Sequence, residues 1–249
     1  MKPEAEIIAA DIGNTGMTLC AMRGLDILAT IDVSSSADVA LVRGALSAAD
    51  RNWPLVVASV NPRGLATLEQ AWGRPAFAFG RDGAVPIENR TRTPEQAGQD
   101  RLVNSLAARH RAGDNAVVVD FGTAITFDVV KGGAYVGGVI SPGIGLAMEA
   151  LHQRTALLPL VKISENKPPA VGDDTVSAIN AGAYYGTIGL VTNILAEVVK
   201  TYAKAPRVIA TGGYGAHLAP EIKGIHETVP ELTHLGIALA WAQLQSLTP

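Results

Sequence analysis

Two aspartates close apolar runs, and each is followed two residues later by a glycine. Asp11 ends Ile7-Ile8-Ala9-Ala10-Asp11 ahead of Ile12-Gly13-Asn14-Thr15, and Asp120 ends Val117-Val118-Val119-Asp120 ahead of Phe121-Gly122-Thr123. A buried strand delivers such a carboxylate to its end, and the glycine lets the turn backbone come close to whatever binds there. A nucleoside triphosphate needs backbone N–H groups around its phosphates and carboxylates that hold Mg2+ directly or through water. One such turn is ordinary in α/β proteins; two, with a late Ala210-Thr211-Gly212-Gly213 also ending an apolar run, point to two similar halves around an anion. No Gly-x-x-x-x-Gly-Lys-Ser/Thr occurs, and Gly143-Ile144-Gly145 lacks the third glycine of a dinucleotide fingerprint at Met148. ATP chemistry here would therefore use a duplicated carboxylate turn.

Gly98-Gln99-Asp100-Arg101 sets an acid beside a base at the start of a helical run. It reads either as an acid favoured by the helix dipole with an exposed arginine, or as a general base with a clamp for an anionic substrate. Gly137-Gly138-Val139-Ile140-Ser141-Pro142-Gly143-Ile144-Gly145 is a glycine-rich passage from strand to helix, suited to an anion or to close helix packing. His110, His152, His217, His226 and His234 lack metal-ligand spacing, and Met148 and Trp241 read as packing residues.

The elements that must position these groups follow from periodicity. Glu6–Ala10, Met17–Met22 and Asp26–Val33 read as a meander of three strands. Ser36-Ala37-Asp38 caps an amphipathic run to about Ala49, Leu55–Val60 reads as a strand and Arg63–Trp72 as a helix. A helix is expected over Glu95–His110. After Arg111-Ala112-Gly113-Asp114-Asn115 the opening pattern returns, with strands at Ala116–Asp120, Ile125–Lys131 and Ala134–Ile140 and a helix at about Gly145–Gln153. Thr175–Lys204 is a long alanine-rich helical stretch with Gly182 and Gly186 as candidate breaks. A strand at Arg207–Ala210 and a helix at about Leu235–Leu247 complete the series. The repeat of domain size argues for duplication, with halves at 1–112 and 113–249.

Composition narrows the classes. The 249 residues carry a formal charge of -3, with scattered Lys and Arg, which gives no footprint for nucleic acid. Cys20 is the only cysteine, so neither a disulfide framework nor a cysteine metal site is expected. The start Met1-Lys2-Pro3-Glu4-Ala5-Glu6 is too polar for a signal peptide, and no apolar run reaches the length of a membrane span. A soluble cytoplasmic protein is expected.

Asp11-Ile12-Gly13-Asn14-Thr15, Gly98-Gln99-Asp100-Arg101-Leu102-Val103-Asn104, Asp120-Phe121-Gly122-Thr123-Ala124-Ile125-Thr126-Phe127-Asp128, Gly137-Gly138-Val139-Ile140-Ser141-Pro142-Gly143 and Ala210-Thr211-Gly212-Gly213 occur in order. Together they resemble the type III pantothenate kinases, from residue 6 to about residue 240. The resemblance implies an α/β fold of the acetate and sugar kinase, Hsc70 and actin class: two ribonuclease H-like halves with mixed sheets flanked by helices. It implies ATP-dependent phosphorylation of pantothenate to 4'-phosphopantothenate, the first step of coenzyme A biosynthesis, with Mg2+ and a monovalent cation, K+ or NH4+. It also implies a homodimer with shared active sites. Carried over motif by motif, Asp11, Ile12, Gly13, Asn14, Thr15, Gly16, Met17 and Thr18 are the first phosphate loop. Gly98, Gln99, Asp100 and Arg101 are the pantothenate segment, with Asp100 the proton acceptor. Asp120 matches the monovalent-cation ligand, Thr123 an ATP contact, and Thr175 in Gly172-Asp173-Asp174-Thr175 a substrate contact. Two residues depart from the family pattern: Thr18, where the loop usually carries Lys or Arg, and Thr91, where a tyrosine is frequent three residues before Pro94. Two other readings fit the same residues: a kinase of this fold acting on another small hydroxy acid, and a non-catalytic accessory protein.

Overall fold

The computed structural model describes residues 6–34, 37–164 and 166–247; Ser36 of the expected cap and Met1–Ala5 of the polar start lie outside the described residues. The chain divides into two compact units. The first runs to Gly113 and adds Gly133–Val136 and the segment from Glu231 onward; the second comprises Asp114–Gly132 and Gly137–Pro230.

The first unit is built on a meander of β1 (Glu6–Ile12), β2 (Gly16–Arg23) and β3 (Asp26–Ser34), followed by α1 (Val39–Ala45), β4 (Leu55–Ser59), α2 (Pro62–Trp72) and β5 (Phe77–Ala78). The strand order is β3-β2-β1-β4-β5. The short turns make β1–β2 and β2–β3 antiparallel, whereas helical crossovers make β1–β4 and β4–β5 parallel. The Asp38 carboxylate caps α1 by accepting from the Leu41 N–H at 2.9 Å, and the run then tightens into a 3-10 turn at Leu46–Ala48. Side chains alternate across β1. Ile8, Ala10 and Ile12 pack with Val42, Leu68 and Trp72 of the α1 and α2 layer. Ile7 and Ala9 pack on the opposite face with Leu102, Val103 and Leu106 of α3 (Gln99–Ala112) and with Ile237, Ala238 and Ala240 of the last helix. Period-two alternation therefore sends Asp11 to the α3 face.

The second unit repeats the plan with β6 (Ala116–Phe121), β7 (Ala124–Lys131), β8 (Ala134–Pro142), α4 (Ile144–Arg154), α5 (Thr175–Lys200), β9 (Arg207–Thr211), α6 (Gly215–Leu218) and β10 (Glu227–Thr228). Its order, β10-β9-β6-β7-β8, is the first sheet's order over again. The repeat extends to single residues. Asp11 lies directly opposite Thr18 in the β1–β2 ladder, and Asp120 directly opposite Thr126 in the β6–β7 ladder. This is the two-half architecture expected from the sequence, two five-stranded mixed sheets flanked by helices.

Three elements differ from their expected forms. The run expected over Glu95–His110 is broken: Pro94–Gln96 is a 3-10 turn, Ala97 is extended, and α3 begins only at Gln99. Conversely, α5 passes through Gly182 and Gly186 unbroken and stops at Lys200, since a well-packed face outweighs the roughly 1 kcal/mol cost of each glycine. Finally, α7 (Leu232–Leu247) starts a turn early and packs in the first unit, where a Cβ on Gly236 would overlap the Val103 carbonyl of α3.

Candidate active site

In the first unit, β1 and β2 are joined by a turn at Gly13-Asn14-Thr15 that the Gly13 N–H closes on the Gly16 carbonyl at 2.9 Å. Asn14, Thr15 and Gly16 are exposed, whereas Ile12 and Met17 are buried in the core on the α1 and α2 side. The exposed turn can receive an anion; Ile12 and Met17 serve it by anchoring its ends. Asn61, at the end of the adjacent strand, tethers the turn. Its Oδ1 accepts from the Gly64 N–H at 3.0 Å as the cap of α2, while its Nδ2 donates to the Gly13 carbonyl at 3.3 Å. Thr18 donates its hydroxyl to Asp32 Oδ1 at 2.7 Å.

Asp11 and the start of α3 come together. Burial, and to a lesser extent the charge of Asp100, together raise the Asp11 carboxyl to about 7. Asp11 is half-buried near the end of β1. Burial likewise raises Asp100, opposed by the Arg101 N–H, which donates to Asp100 Oδ1 at 2.8 Å, and by the Arg101 charge. Two carboxylates in a desolvated place, one of them raised to about 7, form a site that a cation would stabilise. Gly98 caps α3, and a Cβ there would overlap Asp100 Oδ1, so the missing side chain leaves the carboxylate its space. The Gln99 amide turns back to the Ala97 carbonyl at 3.4 Å, and the Arg101 guanidinium lies 5.7 Å from the centre of the buried Tyr135 ring.

The second unit assembles the other motifs. The β6–β7 turn is closed by the Gly122 N–H on the Ala124 carbonyl at 3.2 Å, with Thr123 at its tip. Gly143, at the start of α4, donates its N–H to the Thr123 carbonyl at 3.0 Å. A Cβ on Gly143 would overlap the carbonyls of Gly122 and Thr123, and one on Gly212 would overlap Asp120 Oδ1 and the Phe121 backbone. Gly212 also has φ of 86°, a left-handed conformation that favours glycine. The glycines of the two late motifs thus pack on the Asp120 turn. Thr175 is separate from that cluster. It opens α5 behind the Asp174 cap, and it lines an apolar groove of about 510 Å³ with Met148, Leu151 and Leu158.

Sequence reasoning missed Asn61 and Tyr135. Asn61 had a signal, an asparagine before a proline at a strand end, which is a helix-cap signature; Tyr135 had none, because its partner Arg101 is remote in sequence. Among the described residues no group of three or more His, Cys, Asp or Glu could hold a metal ion by protein ligands alone. A divalent ion at Asp11 would thus complete its shell with phosphate oxygens and water, the usual manner of Mg2+. No helix among the described residues is long and apolar enough to cross a membrane.

The chain is 39% identical over 246 residues to a type III pantothenate kinase of Anaeromyxobacter dehalogenans (strain 2CP-C), covering 91% of this chain and 93% of that one. In structure it is similar to a Baf family protein of Campylobacter jejuni described as a transcriptional activator, with a TM-score of 0.59 at 18% identity over 96% of this chain and 100% of that one. It is also similar to an inorganic polyphosphate/ATP-glucomannokinase of Arthrobacter sp. strain KM, with a TM-score of 0.50 at 17% identity over 96% and 99%. Those two likenesses bear on the fold alone. The profile of type III pantothenate kinases matches residues 7–197, and with the full-length relative it shows that the chain belongs to the type III pantothenate kinase family.

Proposed function

We propose that this protein transfers the γ-phosphoryl group of ATP to the primary hydroxyl of pantothenate, giving 4'-phosphopantothenate and ADP at the entry to coenzyme A synthesis. The observation that carries the reading, beside family membership, is the Asp11–Asp100 pair. Asp100 accepts the hydroxyl proton as the oxygen attacks phosphorus, and the burial that raises its carboxyl makes it a better base. Arg101 clamps the pantothenate carboxylate, with Gly98 and Gln99 shaping the segment around it. The backbone of Gly13 to Thr18 faces the phosphates. The desolvated Asp11 carboxylate fits Mg2+, which when bound neutralises phosphate oxygens. Thr123 contacts ATP. Asp120, crowded by Gly212 so that no side chain enters there, holds the monovalent cation, K+ or NH4+.

The active unit is a homodimer whose Thr175 reaches the pocket of the neighbouring chain. Support comes from the second unit, where the exposed Leu151 lines the Thr175 groove and Leu157, Leu160, Val171 and Val176 are also exposed. Gly182, Gly186 and Gly189 of α5 are exposed, with open space where a Cβ would lie. A large exposed apolar surface is a usual mark of an interface. As an enzyme of coenzyme A synthesis the protein acts in the cytoplasm, with neither nucleic acid nor membrane as partner. The desolvated carboxylate pair favours this reading over a non-catalytic accessory role.

The deciding experiment is a coupled ADP-release assay with pantothenate and a panel of small hydroxy acids, in K+, NH4+ and a bulky organic cation. Turnover highest with pantothenate and dependent on K+ or NH4+ is expected. Preference for another acid would move the assignment to a different acceptor, and equal rates in the organic cation would remove the role of Asp120.

A further inference from the structure

The first unit buries a short polar chain within its hydrophobic core. Thr233 and His234, neighbours in the first turn of α7, are 7% and 5% exposed, and each spends its polar atom on a different element. The Thr233 hydroxyl donates to Asn104 Oδ1 at 2.9 Å, and Asn104 is itself buried. His234 Nε2 donates to the Thr18 carbonyl at 3.0 Å, which fixes the proton on that nitrogen. The other ring nitrogen, Nδ1, is buried without a hydrogen-bond partner of ordinary geometry, beside the Cys20 thiol. The surroundings act on the imidazole in opposite directions: burial pulls it down, while Cys20, the Thr18 carbonyl and Glu231 raise it, with a net upward shift.

The places of the two partners give the chain its meaning. Asn104 lies one helical turn after Asp100 on α3, where residues four apart share a face. Thr18 lies directly opposite Asp11 in the β1–β2 ladder. Around this chain α3 and α7 touch backbone to backbone, since a Cβ on Gly236 would overlap the Val103 carbonyl. A leucine at 234 would fill the same core without burying a polar ring nitrogen. Packing alone therefore gives no reason for a histidine, whereas a directional bond to the Asp11 hairpin does.

We infer that Thr233 and His234 form a buried polar clamp that fixes the Asp100 helix against the Asp11 hairpin, and that both are positioning residues for phosphoryl transfer. The inference rests on the assignment of Asp100 as the base. It concerns distance and orientation between two carboxylates, to which rates are steep: a displacement of 1 Å can cost about a hundredfold.

The test uses the full-length chain with His234→Leu and Thr233→Val, which remove the polar atoms, and His234→Gln and Thr233→Ser, which keep a donor in place. Two quantities are read: kcat and KM for both substrates, and the titration of the Asp11 carboxyl by carbon-13 NMR without nucleotide. In the Leu and Val variants kcat should fall about tenfold or more with KM little changed. Asp11 should titrate lower in them as the Asp100 charge moves away. The Gln and Ser variants should recover most of both. Folded Leu and Val variants with unaltered kcat and Asp11 titration would overturn the clamp, as would Gln and Ser variants that lose as much as Leu and Val. If His234→Leu does not fold, Thr233→Val, which changes one hydroxyl at nearly constant volume, decides alone. Loss of turnover in Asp100→Asn that folded Leu and Val variants do not share would count against the clamp alone, whereas a folded Asp100→Asn variant with normal turnover would count against Asp100 as the base.

Discussion

In the proposed reaction Asp100 and Asp11 divide the chemistry because their surroundings leave them unlike. Asp100 is raised by burial and restrained by Arg101, whereas Asp11 is raised to about 7 by burial and then by Asp100. Replacing Asp100 by Asn removes the proton acceptor at constant shape, so kcat should fall about 10²–10⁴-fold while nucleotide binding and thermal stability persist. Normal turnover of the folded variant would exclude Asp100 as the base. Asp11 yields a test that involves no turnover. Below about pH 7 it holds a proton in the nucleotide-free protein, and a bound divalent ion requires the carboxylate. Binding of Mg·ATP at about pH 6 should therefore release a proton, seen in calorimetry as a binding enthalpy that changes with the buffer, and Asp11→Asn should abolish it. The sign for stability follows. The folded value lies above the ordinary 3.8, so between 3.8 and about 7 the folded state binds more protons than the unfolded one, and this contribution declines as pH rises through that window. A proton count independent of Asp11 would show that this carboxylate does not meet the metal. Asp11 was legible in the sequence because a strand end and a glycine turn are local signals, whereas Asp100, in the first turn of a helix, read equally as an acid favoured by the helix dipole until the family resemblance singled it out. The mutual charge of Asp11 and Asp100 was not legible, since it joins positions 89 residues apart by simple subtraction of their numbers.

At the scale of elements, the break before α3 is what suits Asp100 to its proposed role. A continuous helix from Glu95 would put Asp100 in its second turn; the extended Ala97 and the Gly98 cap place it in the first, beside its own backbone donors. Gly98 has φ of -58° and ψ of 138°, values any residue can adopt. Gly98→Ala should thus fold with unchanged or slightly higher thermal stability, yet lose about tenfold or more in kcat because its Cβ displaces the Asp100 carboxylate. Gly212→Ala differs. It adds left-handed strain of about 1–2 kcal/mol and overlaps the Phe121 backbone as well as Asp120, so its melting temperature should fall together with activity. If both variants behave alike, crowding at the carboxylates does not explain the two glycines. The meander and the repeat were legible because strand alternation and turn residues are written within a few positions. The α3 break was not, as Pro94 opens a helical turn as readily as it ends one, and neither was the unbroken course of α5, which packing decides over propensity.

For the molecule as a whole, duplication gives each half an aspartate opposite a threonine in a hairpin, but the last helix packs in the first unit, and only non-local contacts tell which. The halves then carry different parts: the first holds the proposed base, and the second holds Thr175 on an exposed apolar groove. Because the helix cap is made by Asp174 with Ser177, Thr175→Trp leaves α5 its start while filling the groove mouth. In a two-fold dimer with shared pockets, an Asp100→Asn homodimer lacks the base and a Thr175→Trp homodimer has both pockets blocked. A mixed dimer holds one pocket with Asp100 from the second variant and Thr175 from the first. Mixing the two inactive proteins under conditions of verified subunit exchange should therefore restore activity, approaching a quarter of the parent when exchange is random, since about half the dimers are mixed and each has one of two pockets intact. Absence of recovery would place Thr175 and Asp100 in the same chain's pocket or remove Thr175 from it, and full activity of a monomer would end the shared-site reading.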